Sequence, residues 1–293
     1  MKEQRMKLDI RFHEGDKHKP LCVFIHGMGM NADFWADPAR ASVLGGRYPL
    51  HVLLGDDVEM RTSYQDLEEL GFGVLTWSQS RPVGPIAAAE TELRQILREY
   101  SEYRGKGLLL ICHSRGGLVA RKYLASGADT TRAVITISTP HVGTSMAKWA
   151  VFMSPLASAV TRLLKNFDKR EADTAFRKIL RFLGSKGLRE LLPESDFYRT
   201  LRDQNVRGVK YISIGGTAPD LFRTLAVPLP ELLAMVVPEK MFPEEMRNGH
   251  GDGLVSSSSS VLPYADEHRD FPLNHASIIF DKRVRDFIIE TVQ

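Results

Sequence analysis

Apolar residues follow two patterns along the chain. Short uninterrupted runs such as Leu21-Cys22-Val23-Phe24-Ile25, Leu108-Leu109-Leu110-Ile111-Cys112, Ala133-Val134-Ile135-Thr136-Ile137 and Val209-Lys210-Tyr211-Ile212-Ser213-Ile214 have strand length and little or no polar face. They predict strands buried on both sides. Residues 50–54 and 71–77 supply further strand material, and the weak alternation over residues 8–12 predicts an edge strand. Between these runs the spacing turns helical. Asn31 offers a polar cap to a short helix, residues 64–70 read as another, and Ile86, Leu93, Ile96 and Leu97 share one face of a helix that ends near Tyr100. Alternating strands and helices predict an α/β fold with a mostly parallel central sheet covered by helices on both faces.

That rhythm stops between residues 145 and 201. Leu156, Val160, Leu163, Leu164 and Phe167 fall at helical spacing, as do Phe176, Ile179, Leu180 and Leu183. The expected organisation is a core of residues 1–144 and 202–293 interrupted by a helical cap insertion at 145–201. A second apolar excursion at 217–250 is too rich in Leu, Val and Met for a solvated linker, and is expected to pack near the site. A chain of 293 residues is long enough to carry such insertions on one core.

Charge narrows the function classes. The net charge is only +3, and no Lys/Arg cluster interleaved with aromatics marks a nucleic-acid module, so no nucleic-acid partner is expected. The exception is the cap, where residues 145–190 hold ten basic and four acidic side chains. Basic side chains around apolar helical stripes suit a lipid interface, and equally an ordinary solvated face. The first residues lack the apolar core of a signal peptide and no apolar run reaches spanning length, so a cytoplasmic location is expected. The two cysteines, Cys22 and Cys112, fall in strand-like runs and lack zinc-type spacing; both read as buried thiols.

The chemistry concentrates in Gly107-Leu108-Leu109-Leu110-Ile111-Cys112-His113-Ser114-Arg115-Gly116-Gly117-Leu118-Val119-Ala120-Arg121. It reads strand, sharp turn, helix, with Ser114 at the turn and small residues behind it so that strand and helix approach closely. Such a turn lifts a serine hydroxyl above the sheet. It also leaves the Arg115 backbone N–H at a helix N-terminus, where it can stabilise an oxyanion. A serine that merely caps the helix is the plainer alternative. The run resembles the lipase and esterase branch of the α/β-hydrolase family, whose elbow reads Gly-x-Ser-x-Gly. Cys112 stands where the first glycine is expected.

The resemblance extends to His26-Gly27-Met28-Gly29-Met30 after the first buried strand. In that family the residue following His-Gly donates its N–H to the oxyanion, which implies Met28 here, with Gly27 beside it as a substrate-binding residue. Thr139-Pro140-His141-Val142-Gly143 also looks like the lipase family. His141 precedes every plausible acid, and is read as shaping the loop or lining the substrate pocket; His113, which flanks the serine, is read as a substrate-binding residue. A serine hydroxyl needs a base and an orienting third group. Of nine histidines, His275 is the best placed, in a loop directly before an apolar terminal helix. In this fold the acid falls between serine and histidine in the chain. Gly251-Asp252-Gly253-Leu254-Val255 fits, and resembles the Asn-Asp-Gly-x-Val element of the same lipases; Asp220 is the runner-up. Some such lipases bind calcium through an aspartate two residues after the histidine. Here that position is Ser277, so no metal is expected, and no cofactor.

The resemblance implies a serine carboxylic-ester hydrolase acting on a small-molecule ester or lipid. Hydrolysis of another acyl bond, a thioester or a glycolipid acyl chain, is the second reading. A catalytically inactive hydrolase fold used for binding is the third.

Overall fold

The computed structural model describes residues 7–42, 58–127, 130–146, 185–220 and 242–293. Seven strands form one sheet: β1 (Asp9–His13), β2 (Leu21–Ile25), β3 (Gly73–Ser78), β4 (Leu108–His113), β5 (Thr131–Ile137), β6 (Lys210–Gly216) and β7 (Glu267–Phe271). Their order is β1-β3-β2-β4-β5-β6-β7, and only β1, at an edge, runs antiparallel to its neighbour.

The continuous apolar runs follow from coverage on both faces. Alternate residues of each strand feed two separate cores: Leu21, Val23, Ile25, Leu108 and Leu110 face one, and Cys22, Phe24, Leu109 and Ile111 the other. Helices α1 (Asp33–Ala36) and α2 (Ser63–Glu69) pack on the second core, and α3 (Ile86–Glu99) and α4 (Arg115–Ala125) on the first. In α3 the buried Ile86, Ala89, Leu93, Ile96 and Leu97 recur at helical spacing, as one covered stripe requires. The remaining described α-helices are α5 (Lys186–Glu190), α6 (Asp196–Thr200), α7 (Ser257–Ser260) and α8 (Lys282–Val292). Val284, Phe287 and Ile288 dock α8 on the second core.

Cys22 and Cys112 are free, buried, and point into opposite cores. The sheet itself separates them.

The strand expected at 50–54 lies outside the described residues, as does most of the cap (147–184) and of the second excursion (221–241). The C-terminal part of the proposed insertion is described: Leu188, Leu191 and Phe197 from residues 185–200 join the first core. Two elements differ from the sequence expectation. Strand β7 has no apolar pattern to predict it, and the terminal helix begins later than expected. After His275 comes a 3₁₀ turn (Ser277–Ile279), and α8 follows only when the Asp281 side chain caps it by accepting from Arg283 N–H at 2.9 Å.

Leu110 sits at the centre of β4 with no exposure. Leu110→Ala is expected to lower the unfolding free energy by about 2–5 kcal/mol through lost burial plus a cavity, measured by denaturant titration. A loss under about 1 kcal/mol would mean that this core repacks freely.

Candidate active site

The C-terminal ends of β2, β4, β5 and β6 open to one edge of the sheet, where their loops meet. Ser114 occupies the turn between β4 and α4 with φ 54° and ψ −130°, outside the regions that an L-residue adopts readily. The strain is held from several sides. Ser114 N–H donates to Ile137 O at 2.8 Å, and the Thr139 hydroxyl donates to Ser114 O at 2.8 Å. A Cβ on Gly116 would lie 2.3 Å from Ile25 O, and one on Gly117 would lie 2.3 Å from Thr139 Oγ1, so glycine is required at both. Although Ser114 stands at the N-cap of α4, its side chain makes no capping bond. The hydroxyl is not spent on the helix, which removes the plain capping alternative.

Asp252 is fully buried in a tight turn, its N–H donating to Val255 O at 3.0 Å. Oδ1 accepts from the N–H groups of Leu254 (3.0 Å) and Val255 (2.7 Å), leaving Oδ2 free to meet His275 Nδ1 at 2.8 Å. Because a carboxylate only accepts, Nδ1 carries a proton, and in the neutral imidazole Nε2 is the acceptor. The ring is fixed again through the main chain: His275 N–H donates to Asp252 O at 2.9 Å, and His113 Nε2 bonds His275 O at 2.9 Å. Gly216, closing β6, lets this turn approach; a Cβ there would come within 2.8 Å of Asp252 Cβ.

The third component is the loop after β2. A Cβ on Gly27 would lie 3.0 Å from Ser114 Cβ and 3.5 Å from its Oγ, so the loop passes directly beside the serine. Among the described residues the N–H groups of Gly27, Met28 and Arg115 donate to no other main-chain carbonyl. Such groups can receive negative charge on a ligand oxygen.

The remaining expected residues lie differently. His113 is buried, its ring 4.8 Å from that of His275 and 5.2 Å from Phe34. His141 is buried too: its N–H donates to Ser259 O, Nε2 meets Thr136 Oγ1 at 3.0 Å, and its carbonyl accepts from Arg121. Both are enclosed in the walls of the site. Asp220 is exposed, and among the described residues its carbonyl accepts from Asn274 Nδ2 at 2.7 Å. No cluster of three or more His, Cys, Asp or Glu side chains placed to hold a metal occurs among the described residues.

Known proteins share this fold. The model of the α/β-hydrolase family matches residues 22–277, from the first parallel strand past the histidine loop. The chain belongs to the α/β-hydrolase family. Among solved structures it resembles a mature lipase of Bacillus licheniformis at 18% identity, covering 97% of this chain and 98% of that one with a TM-score of 0.60. It also resembles a monoacylglycerol lipase of Paleococcus ferrophilus (17%, 98% of each chain, 0.51) and a lipase-esterase related protein of Clostridium acetobutylicum (13%, 98% and 99%, 0.51). At these identities the likeness is one of fold. No curated protein sequence matches the chain. No described helix is long and apolar enough to cross a membrane.

Sequence reasoning missed the side chain of Arg115. It is fully buried behind the serine, donating to Gln79 Oε1 and to Gly84 O, each at 2.7 Å. A long cation among glycines and apolar residues was the visible cue; its partners lie more than thirty positions away in the chain.

Burial also sets a pH dependence of folding. Desolvation holds His113 and His141 well below their ordinary 6.5, and pushes His26 down to about 4. Each binds fewer protons folded than unfolded, so this stability is complete above pH 6.5 and is lost as pH falls from there toward 4. Thermal midpoints should therefore decline steadily below pH 6.5. A midpoint unchanged down to pH 5 would mean that these imidazoles take up protons without unfolding.

Proposed function

We propose that the protein is a serine carboxylic-ester hydrolase working through an acyl-enzyme. The observation carrying this reading is the buried contact of 2.8 Å between Asp252 Oδ2 and His275 Nδ1, on a loop of the same sheet edge as a strained, uncapped Ser114. In the proposed mechanism His275 Nε2 takes the proton of Ser114 as Oγ attacks the ester carbonyl. Asp252 holds the ring and stabilises its charged form, and the N–H groups of Met28 and Arg115 receive the oxyanion. Protonated His275 then returns the proton to the leaving alcohol. Water repeats the sequence to release the acid.

The family and the lipases and esterases among its structural neighbours support ester chemistry. Apolar acyl esters are the proposed substrates, on the strength of the apolar stripes in the cap sequence, and its basic excess favours esters presented at an anionic lipid interface. Hydrolysis of p-nitrophenyl esters of graded chain length, beside acyl-CoA, tests the reading. A maximum among medium or long oxygen esters supports it; turnover of acyl-CoA alone would replace it with thioester hydrolysis.

A further inference from the structure

The buried guanidinium of Arg115 is costly to keep. Its side chain is fully enclosed, Nε has no partner among the described residues, and the two bonds that it makes go to neutral oxygens. Glu92 and Glu190 lie near enough to act through charge only, and burial pushes the guanidinium down to about 10. An apolar side chain of similar length would serve packing better. Departures of this kind are kept where geometry matters.

What Arg115 holds is Gln79, itself 4% exposed at the end of β3. With Oε1 taken by Arg115, the Gln79 amide is oriented so that Nε2 donates to His26 O at 3.3 Å, while Gln79 N–H donates to His26 Nε2 at 3.3 Å. That leaves His26 Nδ1–H to donate to Gly27 O at 2.8 Å. In a trans peptide the C=O and the following N–H point oppositely. Fixing His26 O therefore aims the Gly27 N–H, and fixing Gly27 O aims the Met28 N–H. Gly29 N–H is tied to Pro82 O at 2.9 Å in the loop whose Gly84 O also accepts from Arg115.

We propose that Gln79 is a positioning residue for the oxyanion site, held by the Arg115 side chain, so that one chain of hydrogen bonds sets the donors on both sides of Ser114. The proposal rests on the ester-hydrolase reading. Arg115 thus acts twice, presenting one N–H through its backbone and aligning the opposite loop through its side chain.

The test compares Gln79→Glu, Gln79→Met, Arg115→Met and the double variant Gln79→Met/Arg115→Met with the unmodified protein. The readouts are kcat and KM on a soluble p-nitrophenyl ester, Ki for a trifluoromethyl ketone of the same acyl chain, and Tm. Gln79→Glu decides most, because it keeps an acceptor for Arg115 and nearly the same shape but faces His26 O with an oxygen in place of a donor. Each single variant should lower kcat by about tenfold to a hundredfold, with KM within about twofold. Ki for the ketone should rise in step with the fall in kcat/KM. The double variant should be no worse than the worse single one, since both break the same chain of bonds.

A Gln79→Glu protein with kcat within about twofold of the parent overturns the proposal. So do losses that track Tm and vanish on cooling, because these mark a purely structural role. Absence of ester turnover in the parent overturns the ester-hydrolase reading itself, and this inference with it. Arg115→Met carries the greater folding risk, and the Gln79 variants stand without it.

Discussion

Ser114→Ala is expected to reduce ester turnover by about 10⁴-fold or more while leaving the thermal midpoint within about 2 °C of the parent. The two halves of this expectation have separate causes. In the proposed mechanism turnover falls because the acyl bond forms on the Ser114 hydroxyl, and the main-chain donors alone give only the residual rate that survives loss of a nucleophile. Stability holds because the hydroxyl makes no capping bond and the strained backbone is anchored by Ile137 and Thr139 through main-chain atoms that alanine retains. Hydrolysis within about tenfold of the parent, measured on a short p-nitrophenyl ester, would remove Ser114 from the mechanism.

Asp252→Asn should lower kcat by about 10³- to 10⁴-fold, through the histidine tautomer. The asparagine Oδ1 still accepts from Leu254 and Val255 N–H, so the turn survives. Its amide then faces His275 Nδ1 with a donor where the carboxylate was an acceptor. The imidazole answers by carrying its proton on Nε2, where it can no longer accept one from serine. Asp220→Asn is the comparison, since among the described residues Asp220 meets Asn274 through its carbonyl, which asparagine retains, and kcat should stay within about twofold. The reverse ranking would move the acid to the loop after β6.

The parts legible in the sequence are those whose physics is local. Strand β4 announces itself because a strand covered on both faces must be apolar throughout, and the turn at Ser114 because Gly116 and Gly117 answer contacts of 2.3 Å that no side chain could fit. Strand β7 was missed for the opposite reason. Glu267, His268, Arg269 and Asp270 stand at the sheet edge, largely open to water, and only backbone pairing with β6 makes them a strand. The terminal helix begins later than its apolar approach suggests, because Ser277–Ile279 form a 3₁₀ turn and the cap is Asp281. His113 and His141 are both buried, and their enclosure depends on packing from other segments that the local sequence does not encode. The Arg115–Gln79–His26 chain depends on partners from three separate strand ends, which no periodicity or spacing along one segment encodes.

The central claim is that Ser114 is the residue acylated during turnover, and covalent labelling tests it most directly. The protein is treated with a fluorophosphonate, digested, and the adduct located by mass spectrometry, with Ser114→Ala in parallel. The account predicts a single adduct, on the peptide carrying Ser114, absent from the variant and forming at the same rate as ester hydrolysis is lost. An adduct on another residue, or full loss of activity with Ser114 unmodified, would contradict it.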